Sequence, residues 1–102
     1  VTRRYVDRDA QILENRWRGS GGEIDLICLQ DDVIVFVEVK KAQSFERALN
    51  SLSAAQIQRI HQTASEYLAH TPKGQLSDVR FDLALVDETG QVRVMENAFG
   101  HF

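Results

Sequence analysis

GEIDLICLQDDVIVFVEVKK, residues 22–41, decides the fold. Ile24 to Gln30 and Val33 to Lys40 are rich in β-branched and large apolar residues, and Asp31-Asp32 separates them. Two such runs around a two-residue polar break predict a β-hairpin, although Asp-Gly would be a stronger turn. The unusual feature is charge inside the strands: Glu23, Asp25, Glu38 and Lys40 interrupt runs that should build a core.

Strand side chains alternate between faces. Glu23 and Asp25 therefore share a face with Ile27 and Leu29, and Glu38 and Lys40 share one with Ile34 and Phe36. A turn centred between Asp31 and Asp32 pairs residues whose numbers sum to 63, which sets Asp25 opposite Glu38 and Glu23 opposite Lys40. Directly opposed β-carbons lie about 4.5–5.5 Å apart. Carboxylates that close raise each other's pKa, a cost that stability alone does not favour. A divalent cation removes it, because Mg²⁺ takes one or two carboxylates together with water and phosphate oxygens. Lys40 beside them could orient or deprotonate an attacking water, which completes the parts for metal-assisted phosphodiester hydrolysis. The competing reading is a charge ladder in which Lys40 neutralises Glu23 and Glu38 at the end of the sheet. A three-residue loop would shift the register by one and break the constellation.

Outward from the hairpin, residues 1–10 read as the end of a helix and Gln11 to Trp17 as a short edge strand. Gly19-Ser20-Gly21-Gly22 is a breaker, and it lacks the lysine of a nucleotide-binding P-loop. Ala42 to Leu52 reads as loop with a helical turn. Ser53-Ala54-Ala55-Gln56 has the form of a capping box, followed by Ile57, Ile60, Ala64, Tyr67 and Leu68 at helical spacing. That helix should stop before Pro72 and Gly74. Val79 to Val86 and Val92 to Glu96 read as strands around a turn at Asp87 to Gly90. The crossover from Lys40 to Val79 is expected to be right-handed and parallel. The expectation is one α/β domain over residues 1–102, a central mixed sheet flanked by helices.

The chain has 102 residues, 43% hydrophobic and 26% charged, which suits a single core. No apolar run approaches the roughly 20 residues of a membrane helix, and no signal peptide is recognisable. Cys28, the one cysteine, cannot form an internal disulfide; it lies in an apolar run, where packing is the default, and it fits a cytoplasmic location. The net charge of −3 carries no global nucleic-acid signature. Locally, however, residues 1–18 hold Arg3, Arg4, Arg8, Arg16 and Arg18 against Asp7, Asp9 and Glu14, a net charge of +2. Those arginines could grip phosphates or simply form a solvated face. His61, His70 and His101 have no metal-ligand spacing and read as surface residues. Trp17 and Tyr67 read as core, with base stacking as the alternative. Arg80 and Asp82 share a strand face and read as an ion pair near the site edge or as a phosphate contact.

Asp25, twelve residues, then Glu38-Val39-Lys40 resembles the PD-(D/E)XK nuclease signature, with Ile24 in place of its proline. The wider text resembles the YraN-like family of small bacterial proteins over nearly the whole chain: Asn15 to Arg18, Gly22 to Ile27, Val35 to Lys40, Arg80 to Asp82 and Asn97 to Phe99. The resemblance implies a restriction-endonuclease-like fold near the Holliday-junction resolvases and an endonuclease activity on branched or structured DNA, with Mg²⁺ or Mn²⁺. It implies that Asp25 and Glu38 are metal ligands with the Val39 carbonyl as a third, and that Lys40 is the catalytic lysine. Glu23 and Gln56 are accessory candidates, and a homodimer is kept open as an assembly. Two departures stand against full activity. Relatives carry a glutamate on an N-terminal helix, and here the chain starts at Val1, late in that helix, so an upstream segment is expected to be missing. Relatives also often have a lysine where this chain has Gln56. A catalytically weak or inactive nucleic-acid-binding module is therefore the second reading, and a protein-interaction domain the third.

Overall fold

The computed structural model describes residues 1–100. Elements run α1 (Thr2–Val6), β1 (Gln11–Arg18), β2 (Glu23–Gln30), β3 (Val33–Lys41), α2 (Phe45–Asn50), α3 (Ala54–Leu68), a 3₁₀ turn (Gly74–Leu76), β4 (Val79–Val86) and β5 (Val92–Met95). The strands form one mixed sheet in the order β1-β2-β3-β4-β5. Every neighbouring pair is antiparallel except β3 with β4, which are parallel across the α2–α3 crossover, as expected from the sequence.

The β2–β3 hairpin turns on two residues. Asp31 and Asp32 both take positive φ, +50° and +64°, as a type I′ turn requires. The register follows: Leu26 faces Val37, Ile27 faces Phe36 and Gln30 faces Val33. Alternation then separates two apolar layers. Ile27, Phe36, Leu83 and Leu85 join Ile60, Ala64 and Leu68 of α3 on one face. Leu26, Cys28, Val35, Val37 and Ala84 join Tyr5 of α1 on the other. Cys28 is fully buried, and burial pushes its thiol up to about 11, in keeping with a packing role.

Ser53 caps α3 by accepting the Gln56 backbone N–H at 3.0 Å. Burying Ile60, Ala64 and Leu68 at helical spacing fixes which stripe of α3 lies on the sheet. Glu66 of α3 accepts from both the backbone N–H and the hydroxyl of Ser20, tying the Gly19–Gly22 loop to the helix. A β-carbon on Gly19 would meet Glu66 Oε2 and Thr63 Cγ2, so a side chain there would displace that clamp. No helix among the described residues is long and apolar enough to cross a membrane.

Candidate active site

Asp25, Glu38 and Lys40 lie at the end of the hairpin distant from its turn, on the face covered by α3. Asp25 shares that face with Ile27; Glu38 and Lys40 share it with Phe36, and they pair with Leu83 and Leu85 across the β3–β4 ladder. The β2–β3 register ends at Leu26 and Val37. Beyond it the strands no longer pair through their backbones, and the Asp25 carboxylate accepts the Val39 backbone N–H at 2.8 Å. A side chain thus satisfies a β3 donor that the strand ladder has released, an accounting that every partly buried N–H imposes.

Glu38 is half-buried, and its pKa rises from 4.5 to about 8. Burial is the largest cause; a hydrogen bond with Asp25 and the charge of Asp25 follow, while Lys40 and the Val39 N–H act the other way. Glu38 is therefore held largely protonated near neutral pH. The Gln56 amide donates to Glu38 Oε2 at 3.4 Å. The capping box is consequently half-formed: Ser53 caps the helix, but the Gln56 side chain turns to Glu38 instead of back to Ser53.

Glu23 lines the cavity beside Glu38, but its partners are not the expected Lys40. Its carboxylate pairs with Arg16 at 3.1 Å and Arg18 at 3.4 Å, both on β1. Those two arginines hold its pKa below the usual carboxylate range, the Arg16 hydrogen bond most of all. Glu23 is an edge-side neighbour of Arg18 in the β1–β2 register, so β1 captures it before β3 can. Among the described residues Lys40 makes no ion pair within 4 Å with Glu23 or Glu38, which removes the closed charge ladder. Lys40 acts on Glu38 through its charge. Of the five N-terminal arginines, Arg16 and Arg18 are thus engaged with Glu23 while remaining about 80% exposed. Arg3 is exposed, and Arg4 and Arg8 turn toward the opposite face of the sheet, where they line a cavity with Arg80.

A 160 Å³ cavity beside Glu38 is lined by Glu23, Gln56, Arg59 and Thr63, with the Gly21-Gly22 backbone as one wall. Arg59 and Thr63 did not stand out in the sequence. Their signal was available, since Arg59 follows Gln56 by three residues and Thr63 follows Arg59 by four, all on one helical stripe. Thr63 is 1% exposed, and its hydroxyl has no partner among the described residues.

Other expectations are redistributed. Arg80 and Asp82 do form an ion pair, at 2.9 Å, but on the face opposite Asp25 and Glu38 and with Asp82 fully buried. Tyr5 donates its phenol to Asp82 at 2.8 Å, and Asn97 donates its backbone N–H at 2.9 Å. Burial, followed by the Asp82 charge, keeps the Tyr5 phenol protonated. His61 is no surface residue: its ring lies 4.3 Å from that of Phe81, and Nε2 is 2.9 Å from the Phe99 carbonyl. His70 is exposed, and His101 lies outside the described residues. Trp17 and Tyr67 pack edge to face at 5.3 Å, as core residues do. Among the described residues no group of three or more His, Cys, Asp or Glu side chains converges.

The model of the uncharacterised protein family UPF0102 matches residues 1–86, most of the chain. This protein belongs to that family. Similar members include UPF0102 proteins of Ruegeria pomeroyi, 52% identical over 99% of this chain and 82% of its own length, and of Dinoroseobacter shibae, 50% identical over 95% and 72%. A further member from Ruegeria sp. is 39% identical over 97% of this chain and 80% of its own. Both Glu38-Val39-Lys40 and the Asp25 strand fall inside the span that the family model covers.

Proposed function

We propose that this chain is a divalent-metal-dependent endonuclease, built on a restriction-endonuclease-like fold, that hydrolyses phosphodiester bonds in branched or otherwise structured DNA in the cytoplasm. The observation that carries the reading is the Asp25–Glu38 pair, two carboxyl groups in hydrogen-bond contact at the opening of the β2–β3 ladder with Lys40 on the same face. Two hard oxygen donors that repel when both ionise suit a Mg²⁺ or Mn²⁺ ion, with the Val39 carbonyl as a third donor. When bound, such an ion would supply charge neutralisation and Lewis acidity at a phosphate oxygen.

The chain's own groups then divide the work. Asp25 and Glu38 would hold the ion. Lys40 orients the attacking water and stabilises charge that develops in the transition state. Gln56 fixes the Glu38 carboxylate through its amide. Glu23 holds Arg16 and Arg18 near the site, where their exposed guanidinium groups can meet the nucleic-acid backbone.

A second reading has its own support. Among the described residues no group of three acids, histidines or cysteines converges there, and the Gln56 amide contacts Glu38, which favours a weakly catalytic nucleic-acid-binding module. The deciding experiment incubates the full-length protein with four-way junction, flap and single-stranded DNA in Mg²⁺ and in Mn²⁺. Cleavage that vanishes in Asp25→Asn supports the nuclease. Binding of those substrates with no cleavage in either ion supports the module.

A further inference from the structure

The face of the sheet opposite Asp25 and Glu38 carries a 190 Å³ cavity whose polar walls are Arg4, Arg8, Gln30, Arg80 and Glu96. Three guanidinium groups converge on it, from α1, the turn that follows it and β4. Its walls are cross-linked. Arg80 is held in a fork on Asp82 at 2.9 and 3.0 Å and donates Nη2 to Gln30 Oε1 at 2.9 Å. Gln30 in turn donates Nε2 to the Arg8 carbonyl at 3.0 Å, which fastens the end of α1 to β2.

The charges on these walls do not balance. Asp82 is committed to Arg80, Tyr5 and the Asn97 N–H. Among the described residues the one other carboxylate facing the cavity is Glu96, more than half exposed and 3.7 Å from Arg80 Nη1. Arg4 and Arg8 have no carboxylate within ion-pair distance among the described residues. Arg4 lies on α1 and Arg8 in the turn that follows it, and both guanidinium groups line this one cavity, where like charges repel. The Arg4 Nε is buried without an acceptor among the described residues. Buried polar groups are nearly always paired, and an unpaired one costs free energy. An anion in the cavity would answer the repulsion and the missing acceptor together.

We propose that this cavity binds a phosphate monoester, with Arg4 and Arg8 as the principal donors and Arg80 as a fixed wall. A tetrahedral dianion accepts from several N–H groups at once, and guanidinium forks match phosphate oxygens bidentately. The site is separate from the Asp25–Glu38 pair, so it stands whether or not the protein cleaves DNA. Two sources share this chemistry: a nucleoside monophosphate and the 5′-phosphorylated end of a strand.

The test is calorimetric titration of the full-length protein with inorganic phosphate in low-salt chloride buffer. Saturable one-site binding is expected. Arg4→Gln and Arg8→Gln should each weaken it tenfold or more, and Glu96→Gln should tighten it severalfold by removing the opposing charge. Circular dichroism and Tm of each variant confirm that it is folded. No saturable binding by the wild type would overturn the site. So would wild-type affinity in both folded arginine variants, or weaker binding in Glu96→Gln. Competition assigns the source: displacement by a nucleoside 5′-monophosphate but not by the nucleoside supports a small ligand, and displacement by 5′-phosphorylated but not unphosphorylated duplex supports a strand end. Equal displacement by both duplexes would overturn the monoester class in favour of the diester backbone.

Discussion

Asp25 Oδ2 accepts the Val39 backbone N–H at 2.8 Å, although the paired register of their strands ends at Leu26 and Val37. One carboxylate therefore closes a gap in the sheet and at the same time presses on Glu38. The gap follows from the sequence: Glu38 and Asp25 sit where the register would force two acids face to face, and the strands part there. Burial and the neighbouring Asp25 charge raise the Glu38 pKa, so the conflict is eased when Glu38 holds its proton.

That proton makes stability depend on pH. Glu38 titrates near 8 in the folded chain and near 4.5 when unfolded, so the folded state binds more protons between those values. Stability should be full below about pH 4.5 at this group and fall as pH rises toward 8. Urea denaturation across that range, without divalent ions, reads the slope. Glu38→Gln should flatten it, because the amide has no proton to lose. Mg²⁺ or Mn²⁺ should flatten it as well, by stabilising the ionised pair. A wild-type profile that does not descend between pH 5 and 8 would contradict the raised Glu38 pKa.

The opposite face makes a different prediction. Asp82 is fully buried and gathers Arg80, the Tyr5 phenol and the Asn97 N–H. Asp82→Ala leaves a half-buried guanidinium and a buried phenol without their acceptor. Removing one partner of a buried ion pair costs about 3–5 kcal/mol. The loss should appear in thermal or denaturant unfolding, and it should leave the pH slope from Glu38 in place, since the two groups lie on opposite sides of the sheet. A cost under about 1 kcal/mol would mean that water replaces the carboxylate there.

The hairpin turn offers a gain. Asp31 and Asp32 hold φ of +50° and +64°, a region that costs most side chains but not glycine. Asp32→Gly converts the turn to Asp-Gly, the favoured type I′ pair. Relief of a strained φ should raise stability by roughly 0.5–1 kcal/mol, offset in part by the added freedom of the unfolded chain. A net destabilisation measured by urea titration would show that Asp32 contributes something besides its backbone angle.

The sequence was most legible where local patterns and partner strands agreed. Two β-branched runs around Asp31-Asp32 pointed to a short turn, and its two-residue form sets the register up to Leu26 and Val37, next to Asp25 and Glu38. Alternation along β4 likewise separated Arg80 and Asp82 from Phe81, Leu83 and Leu85. Which face each set occupies depended on the parallel register, in which Val37 meets Asp82 and Glu38 meets Leu83. Glu23 lies beside Glu38 yet pairs away from Lys40 because a strand has two neighbours: β1 offers it Arg16, which sits at a φ of +54°, and Arg18. Gln56 was ambiguous for a related reason, since its backbone serves the cap while its side chain serves the site. Hydrophobic periodicity reports faces, and it says little about which of two polar partners a charged side chain will choose.

Lys40 gives the sharpest test of the proposed chemistry. It shares a face with Glu38 and acts on it through charge, yet forms no ion pair within 4 Å among the described residues. A cation held without a close partner is poised for a negative charge that arises elsewhere. If that charge develops in the transition state, Lys40→Ala should leave DNA binding and divalent-ion binding near wild type, because the acids and the arginines carry those. Cleavage should fall by on the order of a hundredfold or more, the usual loss when one electrostatic donor to a transition state is removed. Stability should change little, as no salt bridge is broken, and Glu38 should become harder to ionise once the nearby ammonium is gone. Tm, the pH slope of stability and the cleavage rate, measured on one Lys40→Ala preparation of the full-length chain, separate the outcomes. Lost cleavage at unchanged Tm assigns Lys40 to the chemistry. A large drop in Tm from a protein that cleaves no substrate in its wild-type form would instead make Lys40 a structural counter-charge and return the Asp25–Glu38 pair to the fold alone.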